Sequence, residues 1–345
     1  MGYMQAALPA EKRSPARQLS GCAQATTIYI DHGGNVNVEL STVSQGQGHE
    51  TVIAQTVADE LGISPYDITV IGGMDTSTRA WTVPSGAYSS RFASVGPASA
   101  VMAARKLLAK MLKIAAHLFG VSVEEVTTEE GQFYVREKPE KKIDLRRVAS
   151  VAHWDPHSLP EGMEPGLTAT YYFNIPAAKP IDGEDRVNSS ATYGFTSDMA
   201  IVEVDGETGE VKIQKYISVH DAGTILHPGI AEGQVRGSIM HGVGSALYEE
   251  LKYDEHGQFL TASFADYLVP TAMEAPEIKT GHIETPSPLT ILGSKGIGEA
   301  SSQTAPIAIV NAVEDALAPL GIKINTMPLS SDYIWRLMEE KKNEK

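Results

Sequence analysis

Residues 293–299 read Gly-Ser-Lys-Gly-Ile-Gly-Glu and run straight into Ala300-Ser301-Ser302 and an apolar segment. Three glycines in six residues make a backbone that turns tightly and approaches another group without side-chain bulk. From Gln303 to Leu317 the apolar positions recur at helical spacing, so an open loop must pass into a helix here, with Glu299 at the junction. A helix N-terminus carries unpaired N–H donors and partial positive charge, which suits an anionic ligand. A lone carboxylate presented there can act as a general base. The same residues also satisfy a tight turn with a helix-capping Glu, and the loop alone does not separate the two.

The rest of the chain repeats the pattern. Gln45-Gly46-Gln47-Gly48-His49-Glu50-Thr51 joins a strand to a helix, with two glycines for close approach and two glutamines as neutral donors and acceptors. No Gly-Lys-Ser/Thr follows, and the glycine spacing is not that of a dinucleotide fingerprint; a plain glycine-rich turn is the alternative. Ser85 to Ser94 supplies hydroxyls, backbone N–H groups and Arg91 just before a long helix, which is either a phosphate cradle or a polar surface loop. Asp221-Ala222-Gly223-Thr224 leads to a helix carrying Gln234 and the glycines 233, 237, 242 and 244. Glycine costs roughly 1 kcal/mol in a helix interior, so these four need a packing or a binding reason.

Bulk properties remove whole classes. Across 345 residues the net charge is −15, which argues against nucleic acid as a partner. The only cysteine is Cys22, too few for an internal disulfide or a thiolate metal or iron–sulfur site. No HExxH occurs, and Pro156 lies between His153 and His157, so these two do not share a helix face; His220 and His227 read as structural. No Gly-x-Ser-x-Gly nucleophile elbow stands at a strand end. The start of the chain lacks a signal peptide, and no apolar run reaches a membrane span, which gives the expectation of a cytoplasmic protein.

The periodicities predict a hairpin over 26–30 and 35–39 around Asp31-His32-Gly33-Gly34, and a helix over 51–61. A strand over 68–71 and a helix over 98–118 follow, then small strands over 122–146 whose basic stretch, 138–147, reads as a solvated face. Residues 155–170, with three prolines, are the expected boundary between a first lobe, 1–160, and a second, 161–345. The second lobe holds a hairpin over 199–204 and 210–217, a glycine-rich helix over 230–249, the Glu299 loop and a charged terminal helix. The fold class is mixed, α/β or α+β.

Taken in order, Gln-Gly-Gln-Gly-His-Glu-Thr, Ser-Ser-Arg, Asp-Ala-Gly-Thr…Glu-Gly-Gln-Val and Gly-Ser-Lys-Gly-Ile-Gly-Glu resemble the molybdenum hydroxylases: xanthine dehydrogenase, aldehyde oxidase and aerobic carbon monoxide dehydrogenase. The first of these motifs and Met102-Ala103-Ala104-Arg105-Lys106 look most like the carbon monoxide dehydrogenase branch. The resemblance runs along essentially the whole chain but corresponds only to the C-terminal half of the usual molybdopterin subunit. The Gly-Gly-x-Phe-Gly loop of the family's earlier half is not found. A naturally split subunit, an expressed fragment and a degenerate paralogue all fit, with the split subunit favoured because Met1 stands just before the first hairpin and the end resembles a natural tail.

The resemblance implies a two-lobed molybdopterin-binding fold of the aldehyde oxidase/xanthine dehydrogenase type and a molybdenum–pterin cofactor, as the mononucleotide or a dinucleotide. By the same likeness, Gln45, Gly46, Gln47 and Gly48 would hydrogen-bond the cofactor, with no amino-acid ligand on the metal. Ser89, Ser90, Arg91 and Phe92 would lie against the pterin or its phosphate, and Gln234, Lys295, Gly296 and Gly298 around it. Glu299 matches the family's catalytic glutamate, which takes a proton so that water-derived oxygen can attack an electron-poor carbon. Iron–sulfur clusters and FAD would sit on partner subunits, beside a chain supplying the N-terminal half, in a hetero-oligomer that can itself dimerise. The substrate would be a small molecule: an aldehyde, an N-heterocycle or carbon monoxide. The alternative is a non-catalytic cofactor-binding or scaffold subunit.

Overall fold

A computed structural model describes residues 23–73, 75, 77, 86–87, 90–175, 182–184, 186, 188, 190 and 192–343. The readings of Cys22, Ser85, Tyr88 and Ser89 fall outside the described residues. The chain divides into two compact units, one of residues 1–193 with 286–294 and the other of residues 194–285 with 295–345.

In the first unit, strands β1 (Ala23–Ile30) and β2 (Val36–Leu40) form the antiparallel hairpin, with Ile30 opposite Val36. Asp31 closes the turn, its Oδ1 accepting from the Gly33 and Asn35 amides at 2.9 and 3.0 Å. Helix α1 (His49–Leu61) then crosses back so that β3 (Ile68–Gly72) lies parallel to β2, as a parallel pairing requires. Its positions Ile53, Val57 and Leu61 are buried, as their spacing predicts. The long helix α2 (Phe92–Phe119) starts six residues earlier than the periodicity indicates and ends on Gly120 in the left-handed conformation, φ 66°.

The small excursion is an antiparallel sheet of β4 (Val126–Glu129), β5 (Gln132–Val135) and β6 (Lys138–Asp144). The lysines of β6 are exposed, the solvated face expected of them. Asp144 caps α3 (Leu145–Trp154), accepting from the Arg147 amide at 2.7 Å. His153 on that helix bonds the Ile30 carbonyl at 2.7 Å, a structural role. The proline-bearing stretch leads into β7 (Leu167–Asn174), which pairs antiparallel with β1 and completes a sheet of order β3-β2-β1-β7. Ile28, Ile30, Val38, Leu107, Met111 and Ile114 form its core against α2, each contributing roughly 1.5–3 kcal/mol by leaving water.

The second unit is built on the hairpin of β8 (Phe195–Val204) and β9 (Val211–Asp221), turned by Asp205, whose Oδ1 accepts from the Glu207 and Thr208 amides at 2.8 Å. Helix α4 (Pro228–Leu247) follows, and β10 (Glu277–His282) adds to β9 in parallel, giving the order β10-β9-β8. Helices α5 (Ala300–Leu317) and α6 (Ser331–Asn343) complete the unit. Tyr216, Ala200, Val202 and Ile278 pack one face of the sheet onto a core containing Val235, Ile239, Ile309 and Val313. The architecture is mixed α/β, as expected. Among the described residues no helix is long and apolar enough to cross a membrane.

Candidate functional site

In the first unit the site is built at the end of β2. Gly46 and Gly48 both adopt left-handed backbone, φ 97° and 73°, which L side chains rarely tolerate. A Cβ at Gly46 would meet nothing within 4 Å, so its conformation rather than crowding demands glycine, and open space lies beside the backbone. Gly48 is the residue before α1 and supplies no capping side chain, so the first amides of that helix keep their donor capacity. The Gln45 amide donates to Gln47 Oε1 at 2.6 Å, folding the Gln47 side chain over the loop.

Beneath this loop the structure brings in the second expected segment. Arg91 is buried, and its guanidinium donates to Gly86 O at 2.9 Å, Gln24 Oε1 at 3.2 Å and Thr42 Oγ1 at 3.4 Å, and also to Ala23 O. Gln24 in turn donates to Ser41 Oγ at 2.9 Å and accepts from Thr42 Oγ1 at 2.5 Å. A buried cation is tolerated when its donors are met in this way. Arg91 therefore ties the start of β1 to the stem of the Gln45–Gly48 loop. Phe92 is buried and stacks on His49, the first residue of α1, with ring centroids 3.6 Å apart. Ser90 holds a left-handed φ of 48°.

His49 is buried with its Nδ1 unpaired among the described residues. Burial pushes its pKa down to about 4, the neighbouring Glu50 carboxylate opposing and the Arg91 charge adding to the shift.

In the second unit the Glu299 loop meets the turn at the end of β9. The Lys295 amide donates to Ala222 O at 2.8 Å, and Lys295 Nζ lies 2.9 Å from Asp221 Oδ2 and 2.7 Å from Thr285 Oγ1. Asp221 also accepts from the Gly223 amide at 2.8 Å, the Thr285 amide at 3.2 Å and the Thr285 hydroxyl. Burial alone would raise its pKa; the bonds from Thr285, Lys295 and Gly223 outweigh that and hold it well below the ordinary carboxylate range. Gly296 is placed against Gly194, where a Cβ would come 2.7 Å from the Gly296 carbonyl. Glu299 is exposed, at the residue before α5, with Ser302 Oγ donating to its carbonyl at 2.8 Å. Gly298, beside it, is half-buried.

The four glycines of α4 separate into two kinds. A Cβ at Gly242 would lie 2.5 Å from Ala305 Cβ, so that glycine lets α4 and α5 touch, and Gly244 is crowded by Glu249 and Pro270. Gly233 and Gly237 face open space on either side of half-buried Gln234. His227 caps α4, accepting from the Ile230 amide at 3.1 Å. His220 is buried beside His282, ring centroids 5.2 Å apart, and burial first and then the His282 charge lower its pKa.

Sequence reasoning did not find Gln24, Thr42 and Thr285, which carry no motif. Asp221 was inside a recognised turn, but its pairing with Lys295 spans 74 residues and leaves no local mark.

Residues 4–276 match the profile of the molybdopterin cofactor-binding domain. The chain belongs to that family. Members similar to it include the nicotine 6-hydroxylase large subunit of Paenarthrobacter nicotinovorans, 37% identical over 310 residues, 90% of this chain and 36% of that protein. The carbon monoxide dehydrogenase large chain of Hydrogenophaga pseudoflava is 34% identical over 320 residues, 93% of this chain and 38% of that one. Among solved structures, quinoline 2-oxidoreductase from Pseudomonas putida 86 superposes with a TM-score of 0.79 at 35% identity, over 92% of this chain and 38% of the other. This molybdopterin cofactor-binding chain thus spans little more than a third of the length of these relatives.

Proposed function

We propose that the chain is the cofactor-holding part of a molybdenum hydroxylase large subunit, in which Glu299 is the catalytic base. The reaction class is insertion of water-derived oxygen into an electron-poor C–H bond of an aldehyde or N-heterocycle, or oxidation of carbon monoxide. The observation that carries this reading is the Gln45–Gly48 loop: two left-handed glycines, open space at Gly46 and an uncapped helix start. Such a loop offers several neutral N–H donors to a polar organic group and no side-chain bulk against it, which fits a pterin.

When bound, the molybdenum–pterin group supplies the two-electron oxidation and the oxygen to be transferred. The chain's own residues do the rest. The Gly46, Gln47 and Gly48 amides and the Gln47 side chain hold the cofactor. Ser90 would add a hydroxyl beside the anchored Arg91 and Phe92, and Ser89 is proposed to act with it. Gln234 would contribute its side-chain amide to holding the group, with open space beside Gly233 and Gly237. The Glu299 carboxylate would serve as the base that takes up a proton in the reaction. Gly296 and Gly298 let its loop come close, and the Lys295–Asp221 pair fixes the base of that loop. Partner subunits carrying iron–sulfur clusters and FAD would accept the electrons, and the N-terminal half of the large subunit would complete the substrate pocket. The protein works in the cytoplasm.

Metal and pterin analysis of the purified complex tests the reading. Stoichiometric molybdenum and pterin with substrate-dependent reduction of a dye supports it. A complex that carries pterin but shows no turnover with aldehydes, N-heterocycles or carbon monoxide would instead make the chain a holding subunit.

A further inference from the structure

We infer that the face of the β10-β9-β8 sheet turned away from α4 and α5 is the docking surface for a region of the large subunit that this chain does not contain. The inference rests on the reading of the chain as part of such a subunit. When one face of a sheet packs on a core and the other meets water, the open face is normally polar. Here it is not. Phe195, Met199 and Ile201 are 66%, 54% and 48% exposed and lie on one face of β8, since side chains two and four residues apart point the same way. The register continues the patch across the sheet, with Met199 opposite Ile217, Ser197 opposite Val219, and Val219 opposite Gly281. Lys215, Glu277 and Lys279 border it at one end, with Lys215 and Lys279 Nζ 3.9 and 3.6 Å from Glu277 Oε1. An apolar centre with a charged rim is the anatomy of an interface.

The segment before β10 also exposes apolar side chains, in a separate place. Leu251, Leu260, Phe264, Leu268 and Met273 are exposed on a stretch without helix or paired long strand, Phe264 at 89% and Met273 at 88%. Large apolar side chains exposed in clusters mark interaction surfaces. The occupant follows from length. The relatives devote 36% and 38% of their large subunits to the matched region, so most of each lies outside it and must pack somewhere. The exposed apolar strip of β8 is where that remainder fits.

The test places a photo-reactive benzoylphenylalanine at Ser197, in the middle of the face, in the complex assembled in its host cells, with the same probe at Glu207 in the β8–β9 turn as control. The expected product joins residue 197 to peptides that align with the unmatched part of the relatives. Its yield falls at least tenfold when Met199→Glu and Ile201→Lys are added, with thermal unfolding of the chain unchanged. A product joining two copies of this chain overturns the proposal, as does a yield at Ser197 no higher than at Glu207. Pterin is assayed in the same samples. Cross-linked complex without pterin would remove the cofactor reading and leave the docking surface standing, and pterin without the cross-link would do the reverse.

Discussion

Lys295 Nζ sits 2.9 Å from Asp221 Oδ2, and both side chains are more than nine-tenths buried. The pair joins the turn after β9 to the loop that ends in Glu299, and Thr285 bonds to both partners. Removing one partner leaves a charge that water cannot reach. Lys295→Met is expected to cost about 3–5 kcal/mol in urea unfolding, and the double change Lys295→Met/Asp221→Leu to recover much of it. Because Asp221 holds its proton less tightly folded than unfolded, its contribution is complete above the usual carboxylate pKa, about 4, and fades as pH drops below it. A single variant within 1 kcal/mol of the parent would remove the pair from any positioning role.

His49 predicts a second pH effect at milder acidity. It is stacked on Phe92 and its pKa falls from 6.5 to about 4 on folding. The unfolded chain therefore binds a proton in a range where the folded chain does not. Stability is full above pH 6.5 and declines as pH falls towards 4, by about 3 kcal/mol in all. His49→Phe keeps the ring stack and should flatten that decline. Chemical unfolding at pH 7 and pH 4.5 measures both slopes, and equal slopes for parent and variant would refute the assignment.

How far the sequence reveals this molecule depends on distance along the chain. The β1–β2 hairpin is legible because alternation and the Asp31–Gly34 turn are local, and α1 because Ile53, Val57 and Leu61 repeat at helical spacing. β7 is not: Leu167–Asn174 follows a run of prolines, and only its pairing with β1 marks it as part of the first unit. β10 has charges on its open face and becomes a strand by lying beside β9, some sixty residues earlier. The loops that motifs single out are present as loops, but the partners that shape them are remote. Arg91 reads as a phosphate ligand because a sequence shows its charge and not the carbonyls of Ala23 and Gly86 around it.

That difference separates two variants expected to lower cofactor retention. Gln47→Ala removes one amide from a part-buried loop side chain and should reduce molybdenum per complex several-fold with stability nearly unchanged. Arg91→Ala strips donors from several buried acceptors, at about 1–3 kcal/mol for each one left unmet, and so should lower melting temperature together with metal content. Metal analysis and thermal unfolding on both proteins check the pattern. Metal content unchanged in both would reject a cofactor role for this loop.

Glu299→Gln isolates the chemistry from the architecture. The side chain is exposed at the start of α5, so the substitution should shift stability by no more than about 0.5 kcal/mol. Shape is conserved, which keeps the loop in place, and pterin content should match the parent. What the amide cannot do is accept a proton at working pH. Loss of a positioned base typically slows a reaction by about 10²- to 10⁴-fold, so turnover with the best substrate should fall by that factor while KM changes little. Near-normal turnover in a fully loaded complex would move the base to another residue, and a fall in pterin content would make Glu299 a structural element of the loop instead.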